Sequence, residues 1–420
     1  MNTTDKRYAF DLTLFKIIGY YQMIDPNSKK IFGYNIYNVI NMAIVIFTSI
    51  VTVIGLLGFF YKPDNIKYEK ISFKDIQILF YLACIMVGNL KIGITIYNAK
   101  AIWKLFNVAH ESFLSNKYWK QNKHKINNCG KKFARIFPWY FFMFLMTAFA
   151  WSIVPIVVNN HVTSKEIQNN ENIYITNIAN MRYPITAKTY NKFYKIFYVS
   201  EFIVVYYSAY GLAVFDLLIL GFLQLMATHY ETIASAYENF ICKIENENGK
   251  LSNEEIQKEF VLIILDCQTV YEQLETIYGI ARPIVLIYMV GDSIGMITMP
   301  FLIVMFYMQD KSIFNSNVIA YSWTLFVVGI QLYMYCSLLQ NVNEQKENIN
   351  FGLYSCDWTW LDIEIKKLIL LAMRMNSSNN LKMNVTFTKF IDLPMFANII
   401  RSSYSVTSVL INSNIHKINK

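Results

Sequence analysis

Apolar residues fall along this chain in long runs separated by shorter polar stretches. Crossing ~30 Å of hydrocarbon takes about 20 mainly apolar residues in a helix. Runs of that length cover Tyr34–Tyr61, Ile76–Tyr97, Ile136–Val158, Phe193–Met226, Pro283–Met308, Val318–Leu339 and Phe390–Leu410, the last being the least hydrophobic. Beyond the fourth run, Leu225–Ile244 keeps helical spacing and carries Glu231, Glu238 and Glu245 on one side. After Asn246–Lys250, Ser252 and Glu255 are spaced as a capping box for a new helix. Its Ile256, Phe260, Ile263, Cys267, Val270, Leu274 and Ile277 form an apolar stripe that leads into the fifth run at Pro283. The fourth and fifth helices are thus expected to project beyond the bilayer. The sixth is expected to end in the polar run Gln340–Asn350, and Leu361–Arg374 reads as an amphipathic helix too short and too charged to span. The N-terminal arm (Tyr8, Phe10, Leu12, Leu14, Phe15, Ile18) reads as an interfacial segment packed under the bundle. Asn159–Lys192 is long and Asn-rich, with Tyr174, Tyr183 and Pro184 embedded; it reads as a solvated cap over one mouth of the bundle, or as a plain connector.

Composition sharpens this pattern. Hydrophobic residues make up 55% of the chain and charged residues 16%, against ~25% charged in soluble domains. The expected class is therefore an all-α membrane protein with seven transmembrane helices. A net charge of +9 would suit a nucleic-acid partner, but the basic residues lie between the apolar runs. Lys100, Lys104, Lys117, Lys120, Lys123, Lys125, Lys131, Lys132 and Arg135 separate the second and third runs, and Lys6, Arg7, Lys16, Lys29 and Lys30 lie in the arm. On the opposite side, the second extramembrane loop offers only Lys165, Arg182, Lys188 and Lys192, and the third only Lys311. By the positive-inside rule the N-terminus is cytoplasmic and the C-terminus extracellular, the reverse of a G-protein-coupled receptor, and no nucleic-acid partner is expected. Met1–Phe15 lacks the apolar core of a signal peptide, so the first membrane helix is expected to act as its own targeting anchor. Apart from Cys84, the cysteines (129, 242, 267, 336 and 356) fall at or near the cytoplasmic side, which leaves no outer disulfide. The glycosylation sequons at Asn2, Asn376 and Asn384 are read as unused.

No catalytic signature is present: the chain has no HExxH, no Walker loop, no GxSxG and no dinucleotide fingerprint. The histidines at 110, 124, 161, 229 and 416 lack metal spacing, so neither an enzyme nor a cofactor is expected. Glu201, Asp216 and Asp292 fall inside apolar runs, where charge is costly. Each could face water, pair with another helix or sit at an interface. The last run carries Ser402, Ser403, Ser405, Thr407 and Ser408 among aliphatics. Such hydroxyls can bond back to their own helix, ease close packing or line a pore. The outer halves of four runs hold Phe80, Tyr81, Cys84, Thr147, Trp151, Val154, Phe202, Tyr206, Tyr321 and Thr324. This set suits either plain packing or an apolar cavity for a small volatile ligand.

One ordered series of residues is specific. Tyr335-Cys336, Tyr354 followed by Trp358, Arg374, Lys389-Phe390 and Ser403-Tyr404-Ser405 resemble the C-terminal signature of the insect odorant receptor family. The resemblance covers the stretch from Gln331 to Ile411. It implies an odorant-gated non-selective cation channel, built as a heteromeric tetramer with a shared co-receptor, in the plasma membrane of olfactory sensory neurons. It also implies that the cytoplasmic extensions form an anchor where subunits meet. The volatile would bind in the outer-half residues just named. Tyr404, Thr407, Ser408 and Ile411 would face the pore, Thr407 and Ile411 at its narrow part. The short connection after the fourth helix, with Ser403-Tyr404 and Leu410 in the last, points to a ligand-binding tuning subunit rather than the co-receptor. Cys267-Gln268 stands where members often have His before Gln, and the linker Asn376–Met383 is longer than usual. The alternatives are a gustatory-receptor-like channel, and behind it a G-protein-coupled-type receptor or a transporter. The expected division is an arm (1–33), helices one to four (34–226, with the outer loop 159–192) and a cytoplasmic extension (227–282). Helices five and six follow (283–342), then a linker with the first half of helix seven (343–388), the pore-lining half (389–411) and an outer tail (412–420).

Overall fold

The computed structural model describes residues 13–60, 73–110, 113–115, 119–161, 174–181, 183–248, 253–310, 316–379, 381–385 and 389–418. Two short helices open the described part, α1 (Thr13–Ile17) and α2 (Tyr20–Ile24), followed by a hairpin of β1 (Lys30–Ile31) and β2 (Tyr34–Asn35). The first long helices are α3 (Ile36–Phe60) and α4 (Phe73–Tyr97), then the short α5 (Ala99–Leu105). After them come α6 (Trp119–His161), the short α7 (Ala187–Lys192), α8 (Tyr194–Asn248) and α9 (Asn253–Asp310). The chain closes with α10 (Ser316–Ser355), α11 (Ile363–Ser378) and α12 (Leu393–Ile418). Six of these, α3, α4, α6, α8, α9 and α10, are long and apolar enough to cross a membrane. With the less hydrophobic α12 they make the seven helices that the apolar runs predict.

α8 is the axis of the bundle. It packs against α10, α6, α4 and α9, while α3 lies outside on α4, and α12 leans on α9 and α10. The sequence explains the position of α8, because Ala213–Leu223 is buried on every side. Two glycines set the α4–α8 distance. A Cβ on Gly88 would lie 2.9 Å from the Ser208 carbonyl oxygen, and one on Gly211 would lie 2.8 Å from that of Gly88. Small residues let helix backbones approach this closely.

Of the residues named in the arm, Phe15 is buried and Leu14 and Ile18 are half-buried, packed with the buried Tyr20, Tyr21, Met23 and Ile24, while Tyr8, Phe10 and Leu12 lie outside the described residues. The described part of the stripe on α9 is also as expected, Ile256, Phe260, Ile263, Val270, Leu274 and Ile277 being buried. Ser252, the expected cap partner of Glu255, lies outside the described residues, as do Asn2, Lys165, Arg182 and Lys311.

Two expected breaks turn out to be helix. The basic stretch before Ile136 belongs to α6, which starts at Trp119. Its Ile126, Cys129, Phe133 and Phe137 are buried while Lys131, Lys132 and Arg135 stay exposed, so an amphipathic stripe lies beneath the charges. Likewise α10 does not end at the polar run Gln340–Asn350 but continues to Ser355. Leu339, Val342, Lys346, Ile349 and Leu353 form its buried face. The extension at the arm end therefore contains α6 and α10 as well as α8 and α9. α11 fills the place expected for the amphipathic helix after the sixth run. The Lys346 ammonium donates to the carbonyl of Asn379, pinning the segment after α11 to α10. Asp392 caps the start of α12, accepting from the Met395 N–H at 2.8 Å.

The described part of the 159–192 loop is more built than a solvated cap. Asn177, Ile178, Ala179 and Met181 are buried, and Thr186 caps α7. Glu201, at the top of α8, holds the segment by accepting from the Ala179 N–H at 2.7 Å and from the Tyr183 hydroxyl at 3.4 Å.

Candidate ligand site and pore helix

Four helices bring aromatic residues to the end of the bundle away from the arm. α4 supplies Phe80 and Tyr81, α6 supplies Trp151 and Val154, α8 supplies Tyr206, and α10 supplies Tyr321 and Thr324. All but Thr324 belong to one apolar cluster, and Thr324 accepts from the Trp151 indole at 3.0 Å. Trp151 is the hub: its ring meets those of Tyr81 and Tyr321 edge-on, each at 4.9 Å between centroids. Tyr321 stacks on Phe306 of α9 at 5.5 Å, and Phe80 fits over Gly295, whose missing Cβ would stand 3.1 Å from the Phe80 ring. Within this cluster the Tyr321 hydroxyl is buried without a protein partner.

The remaining sequence-derived positions sit at the margin. Thr147 lies below the cluster and accepts from the Trp323 indole at 3.1 Å. Phe202 stacks on Tyr206 at 4.2 Å but is 39% exposed on the outside of the bundle. Cys84 is half-buried on α4. Sequence reasoning missed the α9 wall (Met299, Leu302, Phe306) and the loop residues Ile178, Ala179 and Met181, all of which join the cluster. Met299, Leu302 and Phe306 follow helical spacing, but in a segment apolar on all faces that spacing singles nothing out. A separate cleft of about 420 Å³ lies at the arm end, between α8, α9, α10 and α11, away from these residues.

Beneath the cluster sits a buried ionic knot. Lys91 of α4 contacts Asp216 of α8 at 2.6 Å, both side chains being fully buried. Asp216 also accepts from Tyr335 at 2.6 Å, from Tyr140 at 3.3 Å and from Gln331. The Lys91 ammonium lies 4.3 Å from the Tyr288 ring centroid, a cation–π contact. Asp216 is thus paired with another helix, and Tyr335 of the C-terminal signature has its role here.

The last helix divides its hydroxyls. Ser403 donates back to the Ile399 carbonyl at 2.7 Å, as one expected use of such groups requires. Thr407 instead donates across to the Ile297 carbonyl of α9 at 3.2 Å. Tyr404 is 78% exposed, and Ser408 and Ile411 are half-buried. Tyr333 meets Phe396 edge-on at 5.6 Å, joining α10 to α12.

This bundle, with a long axial helix, a closed aromatic cluster at one end and a helical extension at the other, has the architecture of a multi-pass helical membrane protein. The profile of the 7tm Odorant receptor family matches residues 74–404, and the chain belongs to that family. Odorant receptor 67a of Drosophila melanogaster is 22% identical over 406 residues, covering 91% of this chain and 90% of that protein. The olfactory receptor OR5 of Machilis hrabei has the same fold, with a TM-score of 0.73 at 12% identity, covering 95% of this chain and 97% of that one. Its structure in complex with eugenol gives 0.70 at 12% identity, covering 96% and 98%. The chain is an odorant receptor and not an enzyme.

Proposed function

We propose that this receptor is the tuning subunit of a heteromeric, odorant-gated, non-selective cation channel in the plasma membrane of olfactory sensory neurons. A small apolar volatile binds in the aromatic cluster, and the pore is lined by α12. The observation that carries the ligand reading is Tyr321, a buried hydroxyl without a protein partner among Trp151, Phe306 and Tyr81. A largely apolar site with one or two polar groups is the usual form of a small-molecule pocket. The rings pack on one another, so a ligand enters by displacing ring–ring contacts. Burying ~300 Å² of a volatile at about 25 cal/mol per Å² gives ~7 kcal/mol before entropy losses, which favours weak binding.

Support for the pore reading comes from the face of α12 that carries Tyr404, Ser408 and Ile411, with Thr407 at its edge against α9. Asp392 is occupied in capping the helix, so no free acidic ring among the described residues of α12 would impose strong ion selectivity.

The test is whole-cell current under a panel of volatiles, with this chain expressed alone and with a co-receptor. Odorant-evoked cation current is expected only on co-expression. Current from the chain alone would instead make it a self-sufficient channel. Silence in both, with surface expression confirmed, overturns the channel reading. Tyr321→Phe is expected to raise the half-maximal concentration of hydroxyl- or carbonyl-bearing volatiles roughly threefold to tenfold, the worth of one hydrogen bond. A hydrocarbon ligand should be unaffected, and an equal loss for both would remove the hydrogen-bonding role.

A further inference from the structure

The hairpin ahead of the first membrane helix is built around a residue that suits its turn poorly. β1 and β2 pair with Lys30 opposite Asn35 and Ile31 opposite Tyr34, leaving Phe32 and Gly33 as a two-residue loop. Both have positive φ, 50° at Phe32 and 83° at Gly33, as a type I′ hairpin turn requires. Glycine meets that requirement freely. Phenylalanine does not, and Asn or Asp is the ordinary occupant of the first position. Yet Phe32 gains nothing from the protein, because its side chain is 97% exposed. Ile31 and Tyr34 beside it are also exposed, and Lys29 and Lys30 flank them.

The hairpin is nevertheless firmly held. Asn35 donates to the Gln22 carbonyl at 2.7 Å, tying it to α2, and accepts from the Tyr37 N–H at 3.0 Å, capping α3. The apolar span Ile36–Gly58 begins at the next residue. Its Val39, Ile40 and Ile46 are exposed apolar residues. A strained aromatic tip with two lysines, fixed at the mouth of a membrane helix, fits one surface: the interfacial layer of a bilayer rich in anionic headgroups.

We propose that the 30–35 hairpin is a shallow membrane anchor. The Phe32 ring enters the acyl–headgroup boundary, and Lys29 and Lys30 meet anionic lipid headgroups. Through Asn35 the anchor fixes the depth and entry angle of α3. This inference rests on the membrane-spanning reading of the fold and is independent of ligand binding or channel activity.

The test replaces Phe32 with the photoreactive, similarly shaped p-benzoylphenylalanine in the full chain. The protein is reconstituted in phosphatidylcholine vesicles containing phosphatidylserine, irradiated and analysed by mass spectrometry. Acyl-chain adducts are expected at position 32 and not at the same probe placed at Asn27, an exposed polar position on the same arm. Their yield should fall several-fold in vesicles lacking phosphatidylserine, or in the Lys29→Gln/Lys30→Gln variant. Adducts to protein alone, no lipid adduct, or equal lipid adducts at 27 and 32 would each overturn the anchor. A yield indifferent to both lipid charge and the lysines would overturn the headgroup contact.

Discussion

Lys91 shows how a single side chain reconciles charge with an apolar bundle. It is fully buried against Asp216, and the pair is closed by Tyr335, Tyr140, Gln331 and the Tyr288 ring. Removing either partner strands the other charge, at a cost of about 3–5 kcal/mol. Lys91→Met and Asp216→Leu are each expected to lower the melting temperature sharply. The double variant should recover most of the loss, because two apolar groups of similar volume leave no stranded ion. Cys356 is a second case. It is buried beside the end of α10 with its Sγ 2.9 Å from the Leu353 carbonyl, and burial pushes its thiol up from 9.0 to about 11. A folded pKa above the unfolded one means that this group's stabilisation is complete below about pH 9 and is lost as pH rises towards 11. Cys356→Ala should therefore flatten the alkaline fall in melting temperature over that window. The sequence marked Tyr335 only as a member of a series and Cys356 only as one of the cysteines near the cytoplasmic side. Their work, on Asp216 and at the turn after α10, depends on partners over a hundred positions away or on a turn that no periodicity announces.

Between helices, contact distance is governed by a few positions. Gly88 and Gly211 face each other where α4 crosses α8, and a Cβ on Gly352 of α10 would lie 2.5 Å from the Ala234 carbonyl oxygen of α8. Alanine at any of the three must push two backbones apart, with an expected loss of about 1–3 kcal/mol, the usual cost of overpacking. Gly279, inside α9 with open space at its Cβ position, is the control. There alanine should be neutral or stabilise by about 0.5–1 kcal/mol, because only helix propensity changes. Thermal unfolding in one detergent would separate the two classes, and an equal response would mean that the crossings are looser than they look. The seven apolar runs were legible because a membrane demands uninterrupted length. The continuations of α6 and α10 were not, because charges between Trp119 and Arg135, and polar side chains between Gln340 and Asn350, hide a buried residue at every third or fourth place. The outer cluster was half legible: its aromatic residues could be named, but the α9 wall became distinct only once Gly295 set how closely Phe80 approaches.

At the scale of the molecule, charge and architecture can be set against each other. The exposed Lys100, Lys104, Lys131, Lys132 and Arg135 lie on α5 and α6 at the end of the bundle that also carries the arm and the α8–α9 extension. Among the described residues, the opposite end offers fewer basic residues, among them Lys188, Lys192 and Lys195. Lys and Arg near membrane helix ends set orientation by resisting translocation, so the arm end should face the cytoplasm. Seven crossings then leave the end of α12 outside. An epitope tag at the N-terminus is expected to be reached by antibody only after permeabilisation, and one at the C-terminus in intact cells. The reverse pattern would put the basic helices outside and the aromatic cluster towards the cytoplasm. A volatile arriving from outside would then have to cross the bundle past the Lys91–Asp216 knot. The same measurement therefore tests the charge rule and the accessibility of the ligand site, because both follow from which end of α8 meets the cytoplasm.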